Sequence, residues 1–133
     1  MADNNAITAA AIEFIETVGY EDLPSEALRV GKRCMVDTLG VMIAGCSEHS
    51  VHILVEDAVE QGGKAEALLL GGGERKAPAA LAARVLGTAG HAHDWDDTQV
   101  SLDPAHVYGL LTHPSVPPLS ATIAMAQRLG GVD

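Results

Sequence analysis

Eight consecutive residues, His91-Ala92-His93-Asp94-Trp95-Asp96-Asp97-Thr98, gather two imidazoles, three carboxylates and a hydroxyl. Two kinds of chemistry use such a set. A metal ion takes histidine nitrogens and carboxylate oxygens when they converge to about 2.0–2.2 Å of one point. A proton-transfer site needs one group that can take or release a proton beside groups that hold the substrate. A second candidate lies downstream in His113-Pro114-Ser115, directly ahead of the Pro117-Pro118 start of a helix. Imidazole is the side chain best suited to exchange a proton at neutral pH, and a loop anchored on a rigid helix can aim one at a cleft.

The two chemistries differ in which side chains face one another. If the helix that begins near Ala77 runs on through the motif, each residue advances by about 100°. Arg84, His91, Asp94, Trp95 and Thr98 then share one side, His93 and Asp97 another, and Asp96 points in a third direction. That spread argues against a metal centre drawn from the motif alone. It suits a cleft face carrying one carboxylate, one hydroxyl and one imidazole. His113 and Asp94 lie at the mouths of adjacent elements and Thr98 shares Asp94's helical side, so these three are expected to share a concavity that excludes Asp96. The competing reading is structural: acidic residues past a helix end are ordinarily solvated, and a histidine among alanines is often a core residue. Weaker signals are Gly71-Gly72-Gly73-Glu74-Arg75-Lys76, which lacks P-loop spacing and reads as a surface turn, and Asp37, expected as a buried carboxylate within an apolar helix.

The elements that must position these groups read as helices. Ile7, Ala11, Phe14 and Val18 recur at helical spacing up to Gly19, giving an amphipathic helix with one buried face. Pro24 suits a first turn, and Glu26 to Gly45 reads as a long helix whose apolar second half runs through the core. Val51, Leu54, Val55 and Ala58 mark a third helix, closed by Gly62-Gly63. Glu66 to Gly73 is a brief extended piece and a turn. Ala77 to about Gly90 is helical, with small side chains that let a neighbour approach. The last helix opens at Pro117-Pro118 and carries Leu119, Ile123, Ala126 and Leu129 on one face. Nothing alternates with period two, so the class is all-α or nearly so.

With 133 residues, 47% of them hydrophobic, the chain can bury one core. Eighteen acidic against eight basic residues leave a net charge of −10, which disfavours nucleic acid and anionic membrane surfaces. There is no apolar run of membrane-spanning length and no basic leader, and the expected location is cytoplasmic. Cys34 and Cys46, twelve residues apart on one helix, are too far apart for a disulfide.

Three stretches, Val36 to Gly45 (VDTLGVMIAG), Gly87 to Thr98 (GTAGHAHDWDDT) and Thr112 to Gly131 (THPSVPPLSATIAMAQRLGG), resemble in order and spacing the N-terminal region of the MmgE/PrpD family. Its members include 2-methylcitrate dehydratase, cis-aconitate decarboxylase and iminodisuccinate epimerase. The resemblance implies that residues 1–133 are the beginning of a longer chain: part of an all-α, bundle-like domain, lacking the smaller α+β lid domain, in what is usually a homodimer. It also implies a cleft that handles small di- and tricarboxylates with neither a metal nor an organic cofactor. Carried over by position, Asp94 and Thr98 match the first and last residues of the family's D-F-D-D-T pattern, and His113 the histidine of its H-P-S pattern. On this reading His113 and Asp94 are catalytic, Thr98 binds a substrate carboxylate, His91 and Asp97 support them, and Asp96 with Asp97 fixes the loop. The resemblance thus implies a lyase or isomerase of the 2-methylcitrate dehydratase type, completed by the remainder of its chain or by a second one. The alternatives are a non-catalytic helical module that binds a partner or a dimer mate, and a metal hydrolase built on His91 and His93.

Overall fold

The computed structural model describes residues 4–99 and 112–130, with side chains from residue 6 onward. Residues 100–111, which the sequence pattern leaves as part of an irregular stretch, lie outside the described residues. The chain divides into two compact units, Met1–Lys32 and Arg33–Asp133.

In the first unit, α1 (Asn4–Thr17) is closed by Val18 N donating to Phe14 O at 3.1 Å. The backbone N–H of Gly19 donates to Asp22 Oδ2 at 2.9 Å, which fixes the single turn Tyr20–Asp22 before Pro24. The face expected to be buried is largely open: Ile7 and Phe14 are 64% and 61% exposed, and only Val18 at its end is half-buried. Helical spacing decides which residues share a face, and a partner surface decides whether that face leaves water. α2 (Ser25–Gly45) begins within this unit and ends in the next.

α2 corrects a second expectation. Instead of running through the core it buries one narrow stripe, Thr38, Met42 and Gly45, while Val36 and Ile43 stay largely exposed. Asp37, expected to be buried, sits beside that stripe and is exposed. At its end a Cβ on Gly45 would lie 2.0 Å from Ala89 O, so only glycine lets the two backbones meet there. α3 (His49–Gln61) follows, burying Val51, Val55 and Ala58 and stopping at Gly62, whose φ of 65° a Cβ would penalise.

Two short strands, β1 (Ala67–Leu68) and β2 (Lys76–Ala77), pair antiparallel with Ala67 opposite Ala77. The glycine-rich link is a turn, where Arg75 Nε donates to Gly72 O at 2.8 Å. α4 (Ala79–His91) starts after Pro78, and its first N–H donates to Glu66 Oε2 at 3.1 Å, which satisfies one of the donors a helix start leaves open. α5 (Val116–Leu129) packs on α4 through Val116, Ser120 and Ala124. The face expected from Leu119, Ile123, Ala126 and Leu129 is not the buried one, and Leu129 is 68% exposed. Small residues win the inner position because α4 offers glycine there: a Cβ on Gly90 would lie 2.8 Å from Val116 Cγ1.

The architecture is therefore all-α with a two-stranded ribbon, around a core of Val51, Val55, Leu69, Ala82, Val85, Ala89 and Ala124. Cys34 and Cys46 are free thiols. Among the described residues no single helix is long and apolar enough to cross a membrane.

Candidate functional site

α4 does not continue through the eight-residue motif. It ends at His91, and Asp94 takes a left-handed backbone, φ 55°, with its N–H donating to His91 O at 3.2 Å. Aspartate tolerates that conformation better than most residues, and it reverses the chain direction as a C-terminal glycine would. The even 100° advance therefore stops at the helix end. Asp94 and Thr98 lose the shared side a helix would have given them, and Asp96 is carried back into the protein.

Asp96 is the residue on which the expectation fails outright. Its side chain is 1% exposed and stands between two imidazoles. Its Oδ1 is hydrogen-bonded to His91 Nδ1 at 2.9 Å. On the other side, Oδ2 lies 3.2 Å from His113 Nδ1 but out of line for a hydrogen bond, and both atoms are buried without a hydrogen-bond partner among the described residues. The two rings meet edge to face with centroids 4.6 Å apart. Asp94, by contrast, is 78% exposed, with Oδ1 3.8 Å from His113 Nε2. An exposed pair of that kind contributes about 0–1 kcal/mol, whereas leaving a buried carboxylate oxygen unsatisfied costs about 1–3 kcal/mol or more. The buried carboxylate therefore dominates how His113 is held.

Two further contacts bring the segments together. Gln99 N donates to Thr112 O at 2.8 Å, tying the end of the first motif to the start of the second. Asp97 accepts from Ser115 N at 3.2 Å and from Ser115 Oγ at 2.5 Å, which fixes the residue before α5 and, two positions earlier, His113. His93 turns elsewhere, stacked on Trp95 at 4.4 Å and 3.6 Å from Glu48. Thr98 is exposed.

These groups border an open cleft of about 580 Å³ between α4 and α5. His91, Asp96, Thr112, His113 and Ser120 supply its polar wall, and Gly87, Val116 and Pro117 part of its apolar one. Among the described residues Asp94 and Thr98 are outside the lining, and no Lys or Arg belongs to it. Its size is that of a small-molecule site.

The arrangement also changes the metal question. His91, Asp94, Asp96 and His113 each offer a ligand atom within 4.8 Å of the other three, so the motif plus His113 converges where an unbroken helix would disperse it. His113 nevertheless offers an ion only one nitrogen, and its two nitrogens face different carboxylates. His93, half of the pair read as a metal hydrolase, is not in the group. The signal that places Asp96 is the helix end at about Gly90, which the sequence already offers; projecting the helix on through the motif instead is what turns Asp96 away.

A profile of the MmgE/PrpD N-terminal domain matches residues 10–132. The chain belongs to that family. Searches among curated proteins and among solved structures give no match.

Proposed function

We propose that this MmgE/PrpD N-terminal domain supplies one wall of a metal-free lyase or isomerase site that moves a proton at a carbon beside a carboxylate, on a small di- or tricarboxylate, in the manner of a 2-methylcitrate dehydratase. The observation that carries the reading is His113, 30% exposed at the cleft wall with a buried carboxylate behind it. An imidazole so held can accept a proton at the nitrogen away from the carboxylate. In a dehydration His113 takes the C–H proton, the electron pair released forms the double bond, and the β-hydroxyl leaves as water with a proton returned by the His113 imidazolium or given by an acid of the rest of the enzyme. Asp94, with Oδ1 3.8 Å from His113 Nε2, orients the substrate, Thr98 donates a hydrogen bond to one of its carboxylates, and His91 and Asp97 support the site. The cations that stabilise the developing enolate charge come from the remainder of the enzyme or a second chain, because the net charge here is −10 and the lining holds no Lys or Arg. The enzyme works in the cytoplasm as a homodimer.

In the complete enzyme, His113→Ala is expected to lower turnover of a small tricarboxylate by about 10²-fold or more, the scale of losing an acid–base group, with His93→Ala near wild type. Steady-state kinetics over a panel of di- and tricarboxylates decides it. Equal losses at His91 and His93, with stoichiometric zinc or manganese in protein purified without added metal, would return the metal hydrolase. A second reading, a non-catalytic module that binds a partner or its dimer mate, is favoured by the open apolar face of α1. Unchanged turnover in the His113 variant of the complete protein would select it.

A further inference from the structure

The two imidazoles of the cleft share one buried carboxylate. His91 reaches Asp96 Oδ1 through Nδ1 at 2.9 Å, and His113 presents Nδ1 to Oδ2 at 3.2 Å. Each oxygen of Asp96 thus faces a different ring, each ring through the same nitrogen, and the carboxylate is 1% exposed. Nδ1 of His113 and Oδ2 of Asp96 are buried and lack another hydrogen-bond partner among the described residues. A neutral imidazole carries its proton on one nitrogen only, and the partner of the other nitrogen decides which. The competing acceptor for His113, Asp94 Oδ1, is farther away at 3.8 Å and 78% exposed, so water can serve it.

We propose that Asp96 is the positioning residue of this site: it holds His91 and His113 together in the Nδ1–H tautomer, so that both rings keep an unprotonated Nε2. A small rotation of the His113 ring aligns Nδ1–H with Oδ2 and satisfies both orphaned atoms. Whichever ring then accepts a proton at Nε2 becomes an imidazolium already paired with a carboxylate. An amide at position 96 would break this arrangement, because its –NH2 can donate to an unprotonated Nδ1 and so stabilise the opposite tautomer. In the proton-transfer reading above, that places the proton on the nitrogen that should accept one. The role is distinct from that of Asp94, and it rests on that reading only for its catalytic consequence.

The test reads tautomers without substrate, so it stands apart from the test of the activity. Nitrogen NMR of the protein labelled with ¹⁵N-histidine at neutral pH, with His91→Gln and His113→Gln used for assignment, is expected to show both rings as Nδ1–H. In Asp96→Asn, with the fold checked by circular dichroism, at least one ring is expected to switch to Nε2–H. In the complete enzyme the same variant is expected to lose about 10²-fold in turnover, with substrate affinity changed far less. Wild-type protein with either ring as Nε2–H overturns the proposal, and that measurement decides even if the variant does not fold. Tautomers unchanged in a folded Asp96→Asn overturn it too, as does zinc bound stoichiometrically by the unmodified protein through these histidines and lost in the variant. Retained tautomers beside an inactive complete enzyme would leave Asp96 in place and refute only the activity.

Discussion

The two ends of α2 use the same kind of sequence to opposite effect. Around its first half the apolar side chains face outward: Val30 and Met35 are 43% and 49% exposed, as are the larger residues of α1. Over its last two turns the helix is held by residues that are small or fully enclosed, Thr38, Met42 and Gly45, and Gly45 touches the backbone of α4 two residues before α4 ends. Apolar content does not separate the regions. Close approach does: where glycine and alanine let helices touch, the structure gains the rigidity that a site built from His91, Asp96 and His113 requires.

The sharpest way to test that contrast is to make the same change in both regions. Met42 is 1% exposed and Met35 is 49% exposed on the same helix. Met42→Ala removes buried atoms from a packed site and is expected to destabilise by roughly 2–5 kcal/mol, a large part of a domain's total stability. Met35→Ala is expected to stay within about 0.5 kcal/mol. Urea unfolding monitored by circular dichroism measures both. Equal losses would mean that the outer face of α2 is as enclosed in solution as the inner one, and the contrast between the two halves would fail.

Glycine substitutions probe the same difference with a smaller effect and a change of sign. At Gly31 an added Cβ meets nothing within 4 Å, so Gly31→Ala gains only the helix propensity of alanine, about 0.5–1 kcal/mol of added stability. At Gly90 the same methyl would lie 2.8 Å from Val116 Cγ1 and 3.0 Å from its Cγ2. The propensity gain is then outweighed by overpacking, and Gly90→Ala is expected to lose about 1–3 kcal/mol. Because Val116 follows Ser115, which Asp97 holds, this variant is also expected to disturb the His113 loop. Opposite shifts in thermal midpoint are the expected result, and stabilisation at both positions would contradict the close packing of α4 on α5.

Much of this was legible in the sequence, and the failures have a common cause. The helices follow from periodicity, Pro24, Gly62 and Pro117-Pro118, because those signals act within a turn or two of the chain. The family resemblance and the N-terminal placement hold, since the MmgE/PrpD N-terminal profile covers residues 10–132. Burial departs from the sequence reading wherever it depends on a neighbour: one face of α1 and every side of the second half of α2 read as buried, and on α5 the sequence points to the wrong stripe, because Val116, Ser120 and Ala124 look less apolar than Leu119, Ile123 and Leu129. Asp96 reads from the sequence only as a loop-fixing residue outside the cleft, and it departs from that reading for a different reason. Its position turns on one backbone angle at Asp94, and a helical projection has no means of representing a left-handed residue. Asp97, two residues from His113 in space through Ser115, was reachable only by the resemblance.

The smallest expected effect lies at the edge of the packed region, where α3 and α4 are joined by an ion pair between Asp57 and Arg84. Arg84, followed by Gln61, donates to the Asp57 carboxylate and holds it below the ordinary carboxylate range. A carboxyl whose folded-state affinity for protons is lowered contributes its stability above its unfolded value, and that contribution disappears as pH falls through the lowered folded value. At neutral pH the contribution is therefore fully present, and it fades only below about pH 4. Both side chains are more than two-fifths exposed, so water and salt screen the pair, and the difference between wild type and Arg84→Ala should be small and should shrink further in high salt. Thermal unfolding of the two proteins from pH 7 downward is expected to give midpoints that differ slightly at pH 7 and converge in acid. A gap that widens as pH falls, or one that ignores salt, would show that Arg84 acts through the packing of its aliphatic stem on the helix surface and not through its charge.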